Sequence, residues 1–340
     1  MLGHVTILFG THPTFLEHDT GTHHPERPER LRAVFEGVAL SGVEEVVTPF
    51  TPRRAEIGEL ETVHDPAYLS ALKRFCLMGG GELDTDTAAS LESWEAVLYG
   101  AGAGLDALER LRAGEADAAF LALRPPGHHA VPARAMGFCL VNNVAVTARA
   151  LSSQGERVLI FDYDAHHGNG TQDIFFEDSS VLYVSTHQYP LYPGTGAARE
   201  IGREIGRGYT INVPLPEGTN GSTIALALER IVQPEVERFN PDWVIISAGF
   251  DAHYRDPLTE MNLTAGDFAT LTRWARSFVG PGRTLAFLEG GYDLEALRES
   301  TASVLSSLAD GEFVGESSRG SAIKPIVDIV EEQRRRALEA

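Results

Sequence analysis

The stretch FDYDAHHGNGTQ, residues 161–172, closes the apolar run Val158–Phe161 and sets Asp162, Asp164 and His166 on alternate positions. His167 stands beside them, and a Gly-Asn-Gly turn follows. Charged groups at the end of a buried strand are costly unless they are paired or bind something. In extended backbone, side chains two residues apart point to the same side, so Asp162, Asp164 and His166 share a face while Tyr163 and Ala165 turn away. Two readings follow: a metal site, or carboxylates capping a helix beside satisfied core histidines.

Outward from this stretch, short aliphatic runs alternate with helical periodicity. Strands are expected at Val5–Phe9, Glu45–Val47, Ala118–Leu123, Val158–Phe161, Val181–Ser185, Tyr209–Val213, Trp243–Ser247 and Thr284–Leu288. Helices are expected at Pro28–Leu40, Ala67–Leu77, Glu92–Arg112, Asn143–Ser153, Ser222–Phe239, Ala265–Val279 and Leu294–Leu308. Near-continuous apolar strands separated by helices imply an α/β fold with a mostly parallel sheet buried on both faces. The 340 residues are read as a single domain. Within it the polar stretch 310–321 leads to a last helix, Pro325–Leu338.

Five of the strands run into loops rich in Gly or Pro that carry His, Asp or Tyr: RPPGHHAVPARAMGFCLVNN, DYDAHHGNG, THQYPLYPGTG, AGFDAHYRDPL and EGGYDL. In open parallel sheets, ligands bind at the carboxyl ends of the strands. Asp164 and His166 leave a metal incompletely bound, and Asp251, just past the strand Trp243–Ser247, is the best third ligand. An Asp-His-Asp set with an open position for water is the arrangement of a catalytic divalent site. The donors suit Zn, and Fe(II), Co or Mn less decisively. Asp162 then orients its neighbours rather than binding the ion.

Together with HHPERPERL near the start, these motifs resemble the zinc-dependent histone deacetylase superfamily, its class II and bacterial amidohydrolase members in particular, from about residue 5 to residue 308. The resemblance implies the arginase/deacetylase fold, a three-layer domain with an eight-stranded sheet. It assigns one catalytic Zn2+ to Asp164, His166 and Asp251. It makes His129, paired with Asn169, the general base and then acid, and His128, paired with Asp162, an electrostatic support. Tyr292 would donate to the oxyanion. Phe138, preceded by Gly137, and Tyr192 would wall an acyl-lysine tunnel, with Leu258 at its rim, Asp84 where relatives bind the substrate backbone, and Arg30 in an inner channel. Leu258 stands where polyamine-selective relatives carry Glu. A structural K+ or Na+ would sit at Asp162, Asp164, His166, Ser185 and Thr186, and a second at Phe175, Asp178, Val181 and Tyr209.

The implied function is hydrolysis of an N-acyl, foremost acetyl, amide on an acylated lysine peptide. A small acetylated amine such as an acetylpolyamine is the alternative substrate, and a catalytically weak acyl-lysine-binding protein the alternative of another class. A two-manganese hydrolase on the same fold needs further carboxylates two residues after two of the ligands; Gly168 and His253 stand there. The formal charge of −20 argues against nucleic acid or anionic membrane as partners. Two cysteines without CxxC spacing, no signal-peptide pattern and no apolar run of about 18 residues point to a soluble cytoplasmic protein. A homo-oligomer is expected on general grounds only.

Overall fold

The aliphatic runs pair as one eight-stranded sheet in the computed structural model, which describes residues 5–311 and 315–340. In chain order the strands are β1 Ile7–Gly10, β2 Val47–Phe50, β3 Gly81–Glu82, β4 Ala88–Ala89, β5 Ala118–Leu121, β6 Val158–Asp162, β7 Val181–Gln188, β8 Thr210–Leu215, β9 Trp243–Ala248 and β10 Thr284–Leu288. The sheet runs β2-β1-β5-β10-β9-β6-β7-β8 with every pairing parallel. Strands β3 and β4 form a separate antiparallel pair.

Every residue of β1, β5, β6, β7, β9 and β10 is buried, so these strands read as apolar runs rather than alternations. Prolines occur only in the two edge strands, Pro49 in β2 and Pro214 in β8, where a missing N–H breaks no ladder. Helix Leu294–Leu308 packs against both Glu29–Leu40 and Ala265–Arg276, and Ser93–Arg112 packs on Asn143–Ser152.

Two expectations need correction. The strand foreseen at Glu45–Val47 is a 3-10 turn, Glu44–Val46, and the strand itself starts at Val47 and contains Pro49. The helix foreseen over 222–239 is interrupted by a π-turn at Leu228–Val232, since Pro234 has no N–H to continue the α-ladder. Part of the stretch 310–321, residues 312–314, lies outside the described residues. In the remainder, Asn220 Nδ2 donates to the carbonyls of Arg319 and Ser321, and Thr264 Oγ1 to that of Glu316. Helix Lys324–Glu339 then buries Val327, Val330 and Arg334.

The central strands β5, β10, β9 and β6 are sheet neighbours, and β7 adjoins β6. Their carboxyl ends therefore deliver all five polar loops to one edge.

Candidate metal and catalytic centre

Asp162 is the last residue of β6, in register with Ser185 of β7 and Ser247 of β9, so Asp164 and His166 lie just beyond the paired sheet. Tyr163 turns into the core against Phe250 and Phe268, which leaves the alternate positions facing the edge. Asp164, His166 and Asp251 each offer a ligand atom within 4.8 Å of the other two. His166 Nδ1 faces both carboxylates, 2.8 Å from Asp251 Oδ2 and 3.4 Å from Asp164 Oδ1. Backbone donors fix the acids: Ala165 N–H to Asp251 Oδ1 at 2.7 Å, and Gly290 N–H to Asp164 Oδ2 at 2.8 Å.

Burial, then repulsion from Asp164, pushes the Asp251 carboxyl up to about 6. Burial pulls His166 toward neutrality, but Asp251 and Asp164 override it and raise the ring to about 10. Two buried carboxylates this close demand a cation. The donor set therefore fits a divalent metal, with no sulfur among its ligands.

The tandem histidines follow β5 and are separated by their surroundings. His128 Nδ1 lies 3.0 Å from Asp162 Oδ2. Burial opposes its charge, but Asp164 and Asp162 prevail and raise it well above the ordinary value. His129 Nδ1 lies 2.8 Å from Asn169 Oδ1. Since an amide oxygen only accepts, Nδ1 carries the proton and Nε2 keeps its lone pair. Burial and the charges of His128 and His166 hold His129 well below the ordinary value. The surroundings thus favour charge on His128 and disfavour it on His129, the pattern of a divided acid–base pair.

Two glycines allow this packing. A Cβ on Gly168 would lie 2.1 Å from Asp162 Oδ2 and 3.0 Å from His128 Nδ1, while one on Gly137 would lie 2.4 Å from the His129 ring. No carboxylate fits at 168, and the His253 ring is engaged by the Arg255 N–H at 3.2 Å. The chain thus lacks both extra carboxylates of a two-metal site.

Tyr292 is half-buried, its ring 5.7 Å from Phe138 at 86°. Burial keeps its phenol protonated far above the usual range, with Arg30 partly opposing. Its N–H donates at 2.7 Å to Asp256 Oδ2, whose other oxygen accepts from Leu258 N–H at 2.9 Å. Arg30 is fully buried 5.0 Å over the Tyr292 ring and donates to the carbonyls of Gly291 and Glu289. Glu26 compensates it at 3.0 Å and also takes Arg124 at 2.8 Å. Glu289 Oε2 accepts the N–H groups of Gly127 and His128 at 2.6 and 3.1 Å, pinning the histidine loop.

Sequence reasoning passed over Glu26, Arg124, Glu289 and Asp256. Each lies inside a quoted motif, but only its folded partners reveal its task.

His129 is edge-on to Tyr192 at 5.3 Å, so Tyr192 borders His129 and Phe138 borders Tyr292. Tyr192 and Leu258 are each 38% exposed, as rim residues should be. Asp84 is exposed, and its Oδ1 accepts the N–H groups of Asp86 and Thr87 at 3.1 and 2.7 Å. Burial raises the Tyr192 phenol, and the nearby carboxylates Asp86 and Asp84 add to that. His167 turns from the metal ligands to Thr195 and Gln172, at 2.8 and 3.0 Å, and so braces the Tyr192 loop. Ser185 Oγ lies 2.9 Å from His187 Nδ1, and Thr186 Oγ1 is buried without a partner. Among the second cation residues, the carbonyls of Phe175 and Tyr209 accept the N–H groups of Asp178 and Tyr183.

Residues 24–308 match the family described as histone deacetylase domain. The chain is 39% identical over 305 residues to a probable deacetylase of Archaeoglobus fulgidus, covering 88% of this chain and 85% of that protein. It is 38% identical over 275 residues to a histone deacetylase-like amidohydrolase of Pseudomonas aeruginosa, covering 79% and 72%. The crystal structure of the HDA15 HD domain superposes with a TM-score of 0.89 at 35% identity, covering 98% of this chain and 96% of that one. Among the described residues, no helix is long and apolar enough to cross a membrane.

Proposed function

Because the chain belongs to the histone deacetylase family, we propose that it is a zinc-dependent deacylase hydrolysing an N-acyl amide, acetyl foremost, at the end of an alkyl chain such as acylated lysine. The observation that carries this reading is the split pair His128–His129 set against the ligand group Asp164, His166 and Asp251. Relatives named as deacetylases and an amidohydrolase support amide hydrolysis. Zinc held by the three ligands would polarise the substrate carbonyl and acidify a water.

The protein's own groups do the rest. His129 Nε2 takes the proton of the attacking water and returns it to the departing amine. Asn169 fixes its tautomer without adding charge, so the ring stays neutral with its Nε2 lone pair free to accept a proton. His128, held cationic by Asp162, offsets negative charge as it develops. The Tyr292 hydroxyl donates to the oxyanion, a contact whose loss costs about 10²–10³-fold in rate. Phe138 and Tyr192 flank the methylene stem.

Leu258 offers no carboxylate to a second ammonium, which favours acyl-lysine over a polyamine. A small acetylated amine is the second reading: Glu260, two residues beyond Leu258, touches Glu217 and raises its carboxyl, so negative charge stands close by. A structural K+ or Na+ at Asp162, Asp164, His166, Ser185 and Thr186 is supported by the crowded acids. The two cysteines, both buried and unbridged, fit a reducing cytoplasm.

The test is turnover by the zinc-loaded protein on acetyl-, butyryl- and longer acyl-lysine peptides beside acetylated polyamines, with Tyr292→Phe, His129→Ala and Asp164→Ala as controls. Peptide cleavage that falls at least about 100-fold in Tyr292→Phe supports the deacylase. Cleavage of small amines alone selects the second reading. Near-normal turnover by His129→Ala, or tight zinc binding by Asp164→Ala, overturns the assignment of roles.

A further inference from the structure

We propose that a cavity at the end of the sheet opposite the reacting loops binds a small oxyanion, a phosphoryl or carboxylate group. The cavity, about 280 Å³, is lined by Arg207, Arg238 and Arg334, by Glu235, and by the rings of Tyr209 and Phe239. Leu182, at the start of β7, and Gly208, just before β8, close its floor. The loops bearing the metal ligands and Tyr192 leave the other ends of the strands.

Arg334 is 3% exposed, and its hydrogen bonds go to main-chain carbonyls, Thr210 O at 2.6 Å and Gly208 O at 3.0 Å. Arg207 likewise donates to Ala337 O and Leu338 O at 2.9 and 3.2 Å. Among the described residues no carboxylate comes within 4.0 Å of either guanidinium. Glu235, which also lines the cavity, is taken by Arg238 at 2.6 Å. Burial pulls Arg334 down to about 10, and Glu235 is the one acid that opposes this.

In a chain with 48 acidic and 28 basic residues, a cation normally finds a carboxylate. A buried guanidinium left with carbonyls alone is costly, and an anion in the cavity would neutralise it. Guanidinium forks match carboxylate and phosphoryl oxygens equally. Tyr209 and Phe239, edge-to-face at 5.9 Å, wall the space with apolar surface suited to the body of an organic acid. The site is remote from acyl transfer, so the inference stands whether or not the deacylase reading does.

The test is titration calorimetry on the full-length, metal-loaded protein with inorganic phosphate and, separately, citrate, at ionic strength held constant with NaCl. Saturable binding is expected, at least about tenfold weaker in Arg207→Gln and Arg334→Met, since each removes charge-assisted hydrogen bonds. Turnover on any cleaved substrate should be unchanged in Arg207→Gln. Response to phosphate alone marks a phosphoryl site, and response to citrate alone a carboxylate site. No saturable heat with either anion, or equal affinity in Arg207→Gln and wild type, overturns the proposal. Should Arg334→Met not fold, the Arg207→Gln comparison decides by itself.

Discussion

Replacing Glu26 by Gln keeps its shape and one acceptor oxygen while removing the charge that holds two buried guanidiniums, Arg30 and Arg124. Burial alone would raise the Glu26 carboxyl; Arg124, then Arg30, overrule it and bring it down to about 2 from 4.5. That difference is worth about 3 kcal/mol at ~1.36 kcal/mol per unit. Breaking one side of a buried pair independently suggests about 3–5 kcal/mol. Equilibrium urea unfolding of the metal-loaded protein at neutral pH should therefore show Glu26→Gln less stable by about that amount, with an unchanged denaturant slope. The pH dependence has a definite sign. A folded-state value below the unfolded one means the stabilisation is complete above about 4.5 and fades as pH falls toward about 2. The gap between wild type and variant should narrow across that interval. Turnover should fall as well, because Arg30 grips the carbonyls of Gly291 and Glu289 on either side of the turn leading to Tyr292. A destabilisation below about 1 kcal/mol, the range of exposed pairs, would refute the reasoning.

Asp256→Asn turns an NH2 toward one of the two N–H groups that the carboxylate now accepts, from Tyr292 and Leu258. A misplaced Tyr292 should lower kcat by about tenfold or more, for a cost of ~1–3 kcal/mol, with zinc content by atomic absorption unchanged; an unaltered kcat counts against the link. Gly168→Ala puts a methyl 2.1 Å from Asp162 Oδ2, so turnover should drop steeply, and wild-type rates would show that the loop yields without consequence. His64 accepts the Asn142 N–H at 2.9 Å through Nε2, and burial lowers its value from 6.5 to about 4. The unfolded chain thus takes that proton first, and stability is lost as pH falls from about 6.5 toward about 4. An NMR titration placing His64 at about 6 or above, close to the ordinary histidine value, would contradict this.

The reading from sequence succeeded where several residues signal together. The strands β1, β5, β6, β7, β9 and β10 were legible because they are covered on both faces and so appear as unbroken apolar runs, whereas the half-exposed edge strand β2 was misplaced. Asp162, Asp164, His166, His128 and His129 were legible because costly groups crowd into short loops. Glu289 was not: the amides it holds stand 161 and 162 positions away, and one acid beside a Gly-Gly turn carries no local sign of them. Glu26 and Asp256 were hidden for the same reason. The π-turn at Leu228–Val232 escaped because apolar periodicity runs on across it.

The register of β6 has a consequence for how this chain can change length. Asp162 sits level with Ser185 and Ser247, and the residues after it alternate between core and edge, Tyr163 inward and Asp164 outward. One residue gained or lost between Val158 and His166 would exchange the two sets and deliver a tyrosine and an alanine where the ligands belong. Insertions after Tyr292 or in the exposed turn around Gly79 carry no such parity. Length variation among descendants of this gene is thereby excluded from the strand Val158–Asp162, ~17 Å of chain at about 3.3 Å per residue, whose odd–even order is fixed by the sheet.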